Sequence, residues 1–215
     1  MRNSQNFFTL RYFGLLIKIL LFVFISSFTL ANENKIGSVS ELSGVIIAIN
    51  ENLDERDLLI HDPIFINEEI FITEGSSATI QFEDNTAIIM KELTSLNVSE
   101  FENSKLNPKI KAKLLKGKIT IESGSIAKNS NGEMIVDVLT SSLGLRGTRI
   151  EVDLKPDGKP NISLAEDSFG NLGEINVASG GQTLNITSSE QIFEISENNE
   201  VLTRDKTNEE KEVEK

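Results

Sequence analysis

The sequence predicts an all-β protein: a solenoid-like or sandwich-like stack of short strands, joined mostly as antiparallel hairpins. Three observations predict it. Apolar and polar residues alternate with period two, the spacing that gives a strand one buried and one wetted face. Turn-forming residues return about every 8 to 12 residues, as they do between short strands. No stretch of the mature chain carries the helical stripe that a long parallel crossover would need.

The first 31 of the 215 residues read differently from the rest. Arg2 and Arg11 precede an apolar heart from Ile19 to Phe24, and Thr29-Leu30-Ala31 closes it with small residues at the two positions a signal peptidase reads. That order is the pattern of a secretory signal, and it predicts cleavage after Ala31. The uncharged run after Lys18 is short for a bilayer span; the alternative is an uncleaved anchor, with Phe13 to Ala31 just reaching across and Lys18 snorkelling. No later segment could cross a membrane, so no stable membrane insertion is expected after cleavage. The expected organisation is a signal peptide at 1–31, a β-domain at 32–202 and a charged, disordered tail at 203–215. The tail alternates charges and lacks apolar anchors.

Within the β-domain, Ala78, Ile80 and Phe82 alternate with Thr79 and Gln81. Ile110, Ala112 and Leu114 alternate with Lys111 and Lys113, and Ile150, Val152 and Leu154 with Glu151 and Asp153. Shorter apolar pieces lie at 45–49, 58–60, 64–66, 70–72, 87–90, 175–177, 184–186 and 192–195. Tight reversals are expected at Glu83-Asp84-Asn85-Thr86, Lys116-Gly117, Asn131-Gly132, Pro156-Asp157-Gly158-Lys159 and Gly180-Gly181.

Composition narrows the function. There is no Cys and no Trp, which excludes disulfides, thiolate metal sites and thiol nucleophiles. Six of the 12 Phe precede Asn32, so the mature core must be aliphatic. Removing residues 1–31, which carry three bases and no acid, takes the net charge from −12 to −15. Such a surface repels phosphate backbones, and nucleic acid is not an expected partner.

Two tracts carry more than generic strand pattern. One runs from Ile64-Phe-Ile-Asn-Glu-Glu-Ile-Phe-Ile-Thr73 through Asp84-Asn85-Thr86 to Phe101. The other runs from Leu115-Lys-Gly-Lys-Ile-Thr-Ile-Glu122 to Leu143-Gly-Leu-Arg-Gly-Thr148. Over residues 36 to 195 the chain resembles the FecR domain family of bacterial envelope proteins. That family has an Asp-Gly-Thr hairpin, a Lys-Gly turn and a Gly-Ile-Arg-Gly-Thr signature. Here the hairpin has Asn85 in place of Gly, which tolerates the same left-handed backbone. The resemblance makes Gly144, Arg146, Gly147 and Thr148 the signature residues, with a structural or recognition role. It implies a periplasmic, all-β domain used in protein contacts. Sigma-regulating members carry a cytosolic segment ahead of a membrane helix. Only about twelve residues precede the apolar stretch here, so direct binding of a sigma factor is not expected.

No catalytic set stands out. His61, the single histidine, has Asp62 beside it, but neighbours on a strand face opposite ways, and His61-Asp62-Pro63 reads as a turn. No serine lies in a Gly-x-Ser-x-Gly elbow. Asp157-Gly158 and Glu166-Asp167 do not fit the spacing of a calcium loop. No catalytic residue, metal or cofactor is assigned. The reading is a periplasmic or secreted, non-enzymatic module that binds an envelope protein as sensor or scaffold. Two alternatives stand beside it: a hydrolase with unmarked carboxylates, and a surface adhesin component. For Arg146 the expectation is a structural role, bridging carbonyls of a neighbouring coil or meeting a carboxylate; the competing reading is an exposed Arg that grips a ligand anion or a partner protein.

Overall fold

Residues 35–196 and 198–213 are described by a computed structural model. Their alternating sequence builds two sheets that share one strand. The first contains β4 (Pro63–Phe65), β1 (Lys35–Ser43), β6 (Ser77–Phe82), β7 (Ala87–Met90), the second half of β9 (Lys109–Glu122), β12 (Arg149–Leu154), β13 (Pro160–Ala165), β16 (Gln191–Ile195) and β17 (Val201–Asp205), in that spatial order. The second contains β3 (Glu55–Asp57), β2 (Ile46–Ile49), β5 (Glu69–Ile72), β8 (Ser95–Glu102), the first half of β9, β10 (Glu133–Val138), β11 (Ser141–Arg146), β14 (Glu174–Ser179) and β15 (Gln182–Ile186).

The sheets bury their apolar faces in one core. Ile110, Ala112 and Leu114 come from one sheet and Ile150, Val152 and Leu154 from the other, all buried on the faces the alternation predicts. Each large aliphatic side chain enclosed in this way stabilises the fold by about 1.5–3 kcal/mol. The result is a sandwich of mostly antiparallel hairpins, as expected. Among the described residues its two ends stay open, so four strands form edges: β3 and β4 at one end, β15 and β17 at the other.

Three local expectations are corrected. Lys116-Gly117 is not a reversal: β9 runs straight through it from one sheet into the other. Gly117 has φ +85° and its backbone lies so close to Thr94 that a side chain would collide with it, which makes this a kink. One parallel pair exists, β9 with β10. Its crossover is built from the second half of β9 and a single-turn helix, α1 (Ser125–Lys128), so no long helix was needed.

Finally, residues 203–205 belong to β17, and 208–213 form a short helix, α2 (Asn208–Val213), where disorder was expected. Arg204 bridges Glu194 at 3.1 Å and Glu210 at 2.8 Å, while the buried Lys206 donates to the Leu164 carbonyl at 3.3 Å. Charge pairs therefore supply the anchors that apolar residues do not. The signal segment at 1–31 lies outside the described residues. Among the described residues no helix is long and apolar enough to cross a membrane.

Candidate functional site

The two motif tracts meet at α1. The turn between β6 and β7 places Asn85 at φ +68°, and this points the Asp84 side chain back into the protein. The Asp84 carboxylate accepts from the Thr86 N–H at 2.9 Å, the Thr86 hydroxyl at 2.8 Å and the Ile126 N–H at 3.2 Å. The Thr86 hydroxyl oxygen in turn accepts from the Gly124 N–H at 2.9 Å. Gly124 is pressed against this turn: an added Cβ would lie 2.3 Å from the Asp84 carbonyl oxygen and 2.3 Å from the Thr86 nitrogen. From the other side, Thr148 N–H donates to Ser123 Oγ at 2.8 Å, and the Ser123 N–H donates to the Thr148 carbonyl at 3.0 Å. The Asp-Asn-Thr turn, the start of α1 and the Gly-Thr of the signature thus form one buried polar knot. Every described side-chain polar atom buried in the protein has a partner.

The signature residues divide across this knot. Thr148 is fully buried within it. Gly147 has φ +57°, and Gly173 packs onto the carbonyls of Arg146 and Gly147 too closely for any side chain. Gly144 lies mid-strand in β11 between Ile135 and Asn176. Arg146 ends β11 exposed and donates to the Ser130 carbonyl at 3.2 Å. Of the two partners expected for Arg146, the carbonyl is present and a carboxylate is not among the described residues; the alternation that buries Leu143 and Leu145 turns Arg146 outward.

Next to Arg146, the loop 166–172 holds Phe169 at 80% exposure. Asp167 organises this loop from a nearly enclosed position. Its carboxylate accepts the N–H groups of Phe169 at 3.0 Å and Asn171 at 2.9 Å, and meets Lys128 Nζ at 3.4 Å. The Asn171 amide leads in holding the Asp167 carboxyl below the usual carboxylate range, with further help from Phe169 and Lys128. Lys128 Nζ also lies 5.7 Å from the Phe169 ring centroid. Toward the edge of the sheet, Arg146 pairs in register with Glu174, whose carboxylate accepts from Asn185 of β15 at 3.3 Å.

The strand β15 completes this corner, and sequence reading did not single it out. Gln182 to Asn185 are all exposed, and among the described residues the strand pairs with β14 alone. Gly180 and Gly181 take φ +56° and +77°, a two-residue turn that makes Ser179 and Gln182 a hydrogen-bonded pair. The backbone groups of Thr183 and Asn185 therefore point away from β14. The signal for this was available as an uncharged strand after Gly-Gly. Its openness, however, depends on what packs beside it.

His61 sits in the turn before β4 with φ +73°, as a turn residue, and the Asp62 carboxylate accepts from the Leu59 N–H at 2.9 Å. Among the described residues no group of three His, Cys, Asp or Glu is placed to hold a metal.

The fold and this corner define a class: an open-ended β-sandwich whose motif residues lock the backbone and leave one cation, one aromatic ring and one strand edge on the surface. Comparison gives a family likeness. The family model described as FecR protein matches residues 68–168, just under half of the chain. Two crystal structures of a candidate anti-sigma factor from Parabacteroides distasonis ATCC 8503, at 2.50 and 1.65 Å, share the fold with a TM-score of 0.51. Their sequences are 13% and 14% identical, and the alignment covers 64% of this chain and 59% of theirs. No curated protein matches the chain.

Proposed function

We propose that the chain is an exported, non-enzymatic module of the bacterial envelope that binds a protein partner, as sensor or scaffold, by accepting a strand at β15. The observation that carries this reading is the contrast among the four edges. β3 is charged throughout, as Glu55-Arg56-Asp57, and its Arg56 is tied to Glu68 at 2.7 Å and to the Pro63 carbonyl at 2.7 Å. β4 begins with Pro63, and β17 carries Arg204 and Asp205. Charges and prolines are the devices that blunt an edge against pairing. β15, Gln182-Thr-Leu-Asn-Ile186, has neither. An edge with free N–H and C=O groups and alternating side chains is the template for strand addition by a partner.

The FecR match supports an envelope setting, and the signal-like pattern of residues 1–31 supports export. The match ends at Ser168, so β15 lies outside it, and partner choice would be particular to this chain. The test is capture from envelope extract with the wild type, Thr183→Pro and Leu184→Lys as baits. Pro at 183 removes an N–H that faces away from β14, so the hairpin survives. A partner retained by the wild type and lost with both variants, at unchanged melting temperature, supports the reading. A partner retained by all three refutes it.

A further inference from the structure

Far along β9 from α1, three leucines are displayed by three separate irregularities. Leu93, in the turn between β7 and β8, has φ +55° and is 49% exposed. Leu139, in the turn between β10 and β11, has φ +55° and is 50% exposed. Leu115 is the extra residue of a β-bulge, because Ser95 pairs with Lys116 while Leu96 pairs with Leu114. Left-handed positions in tight turns ordinarily take Gly, Asn or Asp, whereas a leucine there adds backbone strain to apolar exposure. Bulges re-aim side chains. All three leucines line one groove of about 670 Å³, floored by Leu154 and Pro156. That volume lies within the range of small-ligand sites, which are concave and mostly apolar with a few placed polar groups.

The rim is cationic, against the trend of a chain with net charge −12. It holds Lys91, Lys116, Lys118 and Lys155. Lys118 is paired with Glu151 at 2.7 Å, and Lys116 lies over the Phe71 ring at 4.4 Å. Lys91 and Lys155 form no ion pair among the described residues. The rim also holds two acids: Glu92, which accepts from the Gly75 N–H at 2.8 Å, and Asp153, which stands opposite Lys118 in the β9–β12 register.

We propose that this groove binds a monomeric amphiphilic anion: an acyl chain along the leucines, with its acidic head between Lys91 and Lys155. The leucines are half-exposed walls of a concavity, which suits a single chain better than a flat bilayer.

The test is calorimetric titration of the full chain with dodecanoate below its micelle threshold. Saturable binding at one site is expected. Leu93→Asn with Leu139→Asn should weaken it by roughly tenfold or more. That variant should melt no lower than the wild type, because Asn accepts the left-handed backbone. Lys91→Gln with Lys155→Gln should weaken dodecanoate and leave a neutral dodecyl glycoside unaffected. The proposal is overturned by absence of saturable binding, or by equal binding of the Asn variant. A lower melting temperature of that variant also overturns it, since the leucines would then serve packing. So does binding confined to vesicles of phosphatidylcholine and phosphatidylglycerol, which would assign the surface to a bilayer.

Discussion

The Asp84 carboxylate, in the turn between β6 and β7, accepts the backbone N–H of Ile126 in α1 at 3.2 Å. This contact ties the first motif tract to the second, and Asp84 is 1% exposed. Replacing it with Ala leaves two backbone N–H groups and the Thr86 hydroxyl without an acceptor in a dry site. The expected loss is about 2–4 kcal/mol. Asp84→Asn, which keeps the shape and one acceptor oxygen, should lose less. Urea denaturation measures both, as a lower midpoint at unchanged slope.

Gly124→Ala tests the same knot from its other side. The Gly124 backbone has φ −87°, which any residue adopts, so only space is at stake. The added Cβ meets backbone at 2.3 Å, and backbone cannot step aside as a flexible side chain can. A loss of about 1–3 kcal/mol or more is expected. Gly75→Ala is the contrasting case: open space but φ +68°, for a loss of about 1–2 kcal/mol from strain alone. Melting curves of the two variants separate crowding from conformation.

Arg146→Ala should leave stability within about 0.5 kcal/mol of the wild type, since the side chain is exposed and makes one hydrogen bond to a carbonyl. Arg146→Lys should behave the same way. If the corner serves recognition, partner capture falls in both variants while melting temperature holds.

The docking of α2 should depend on pH. The Arg204 guanidinium, through its hydrogen bonds, leads in holding the Glu210 carboxyl at about 2, below its ordinary 4.5. A carboxyl depressed in the folded state contributes stability above its unfolded value and loses it as pH falls. The contribution is therefore intact above about pH 4.5 and gone near pH 2. Amide exchange at residues 206–211 should show protection retained at pH 5 and lost progressively toward pH 2. Both side chains are about one-third exposed, so added salt should weaken the docking as well.

The fold was legible because each sheet buries one face, and burial writes period two into the chain: Ile80, Ala112 and Val152 were all assigned to the core by alternation alone. The kink at Gly117 was not legible, since Lys-Gly suits a hairpin turn as well as a strand passing between sheets. The tail was misread because Arg204 and Lys206 dock through polar contacts that leave no apolar signature. The signature near Arg146 was visible as a motif, but its exposure was not: Arg146 meets a carbonyl, that of Ser130, at the surface. Leu143 and Leu145 decide which way Arg146 points, and they point it to solvent. The openness of β15 could not be read locally, because it is a property of what lies beside the strand.

The central claim is that β15 accepts a strand from a partner. Photo-crosslinking in cells tests it most directly, with the reactive group placed at Thr183 on β15 or, as control, at Glu55 on β3. The account predicts a discrete crosslinked adduct from position 183, none from position 55, and loss of the adduct when Leu184→Lys is added. Adducts of equal yield from both positions, or none from position 183, would contradict it.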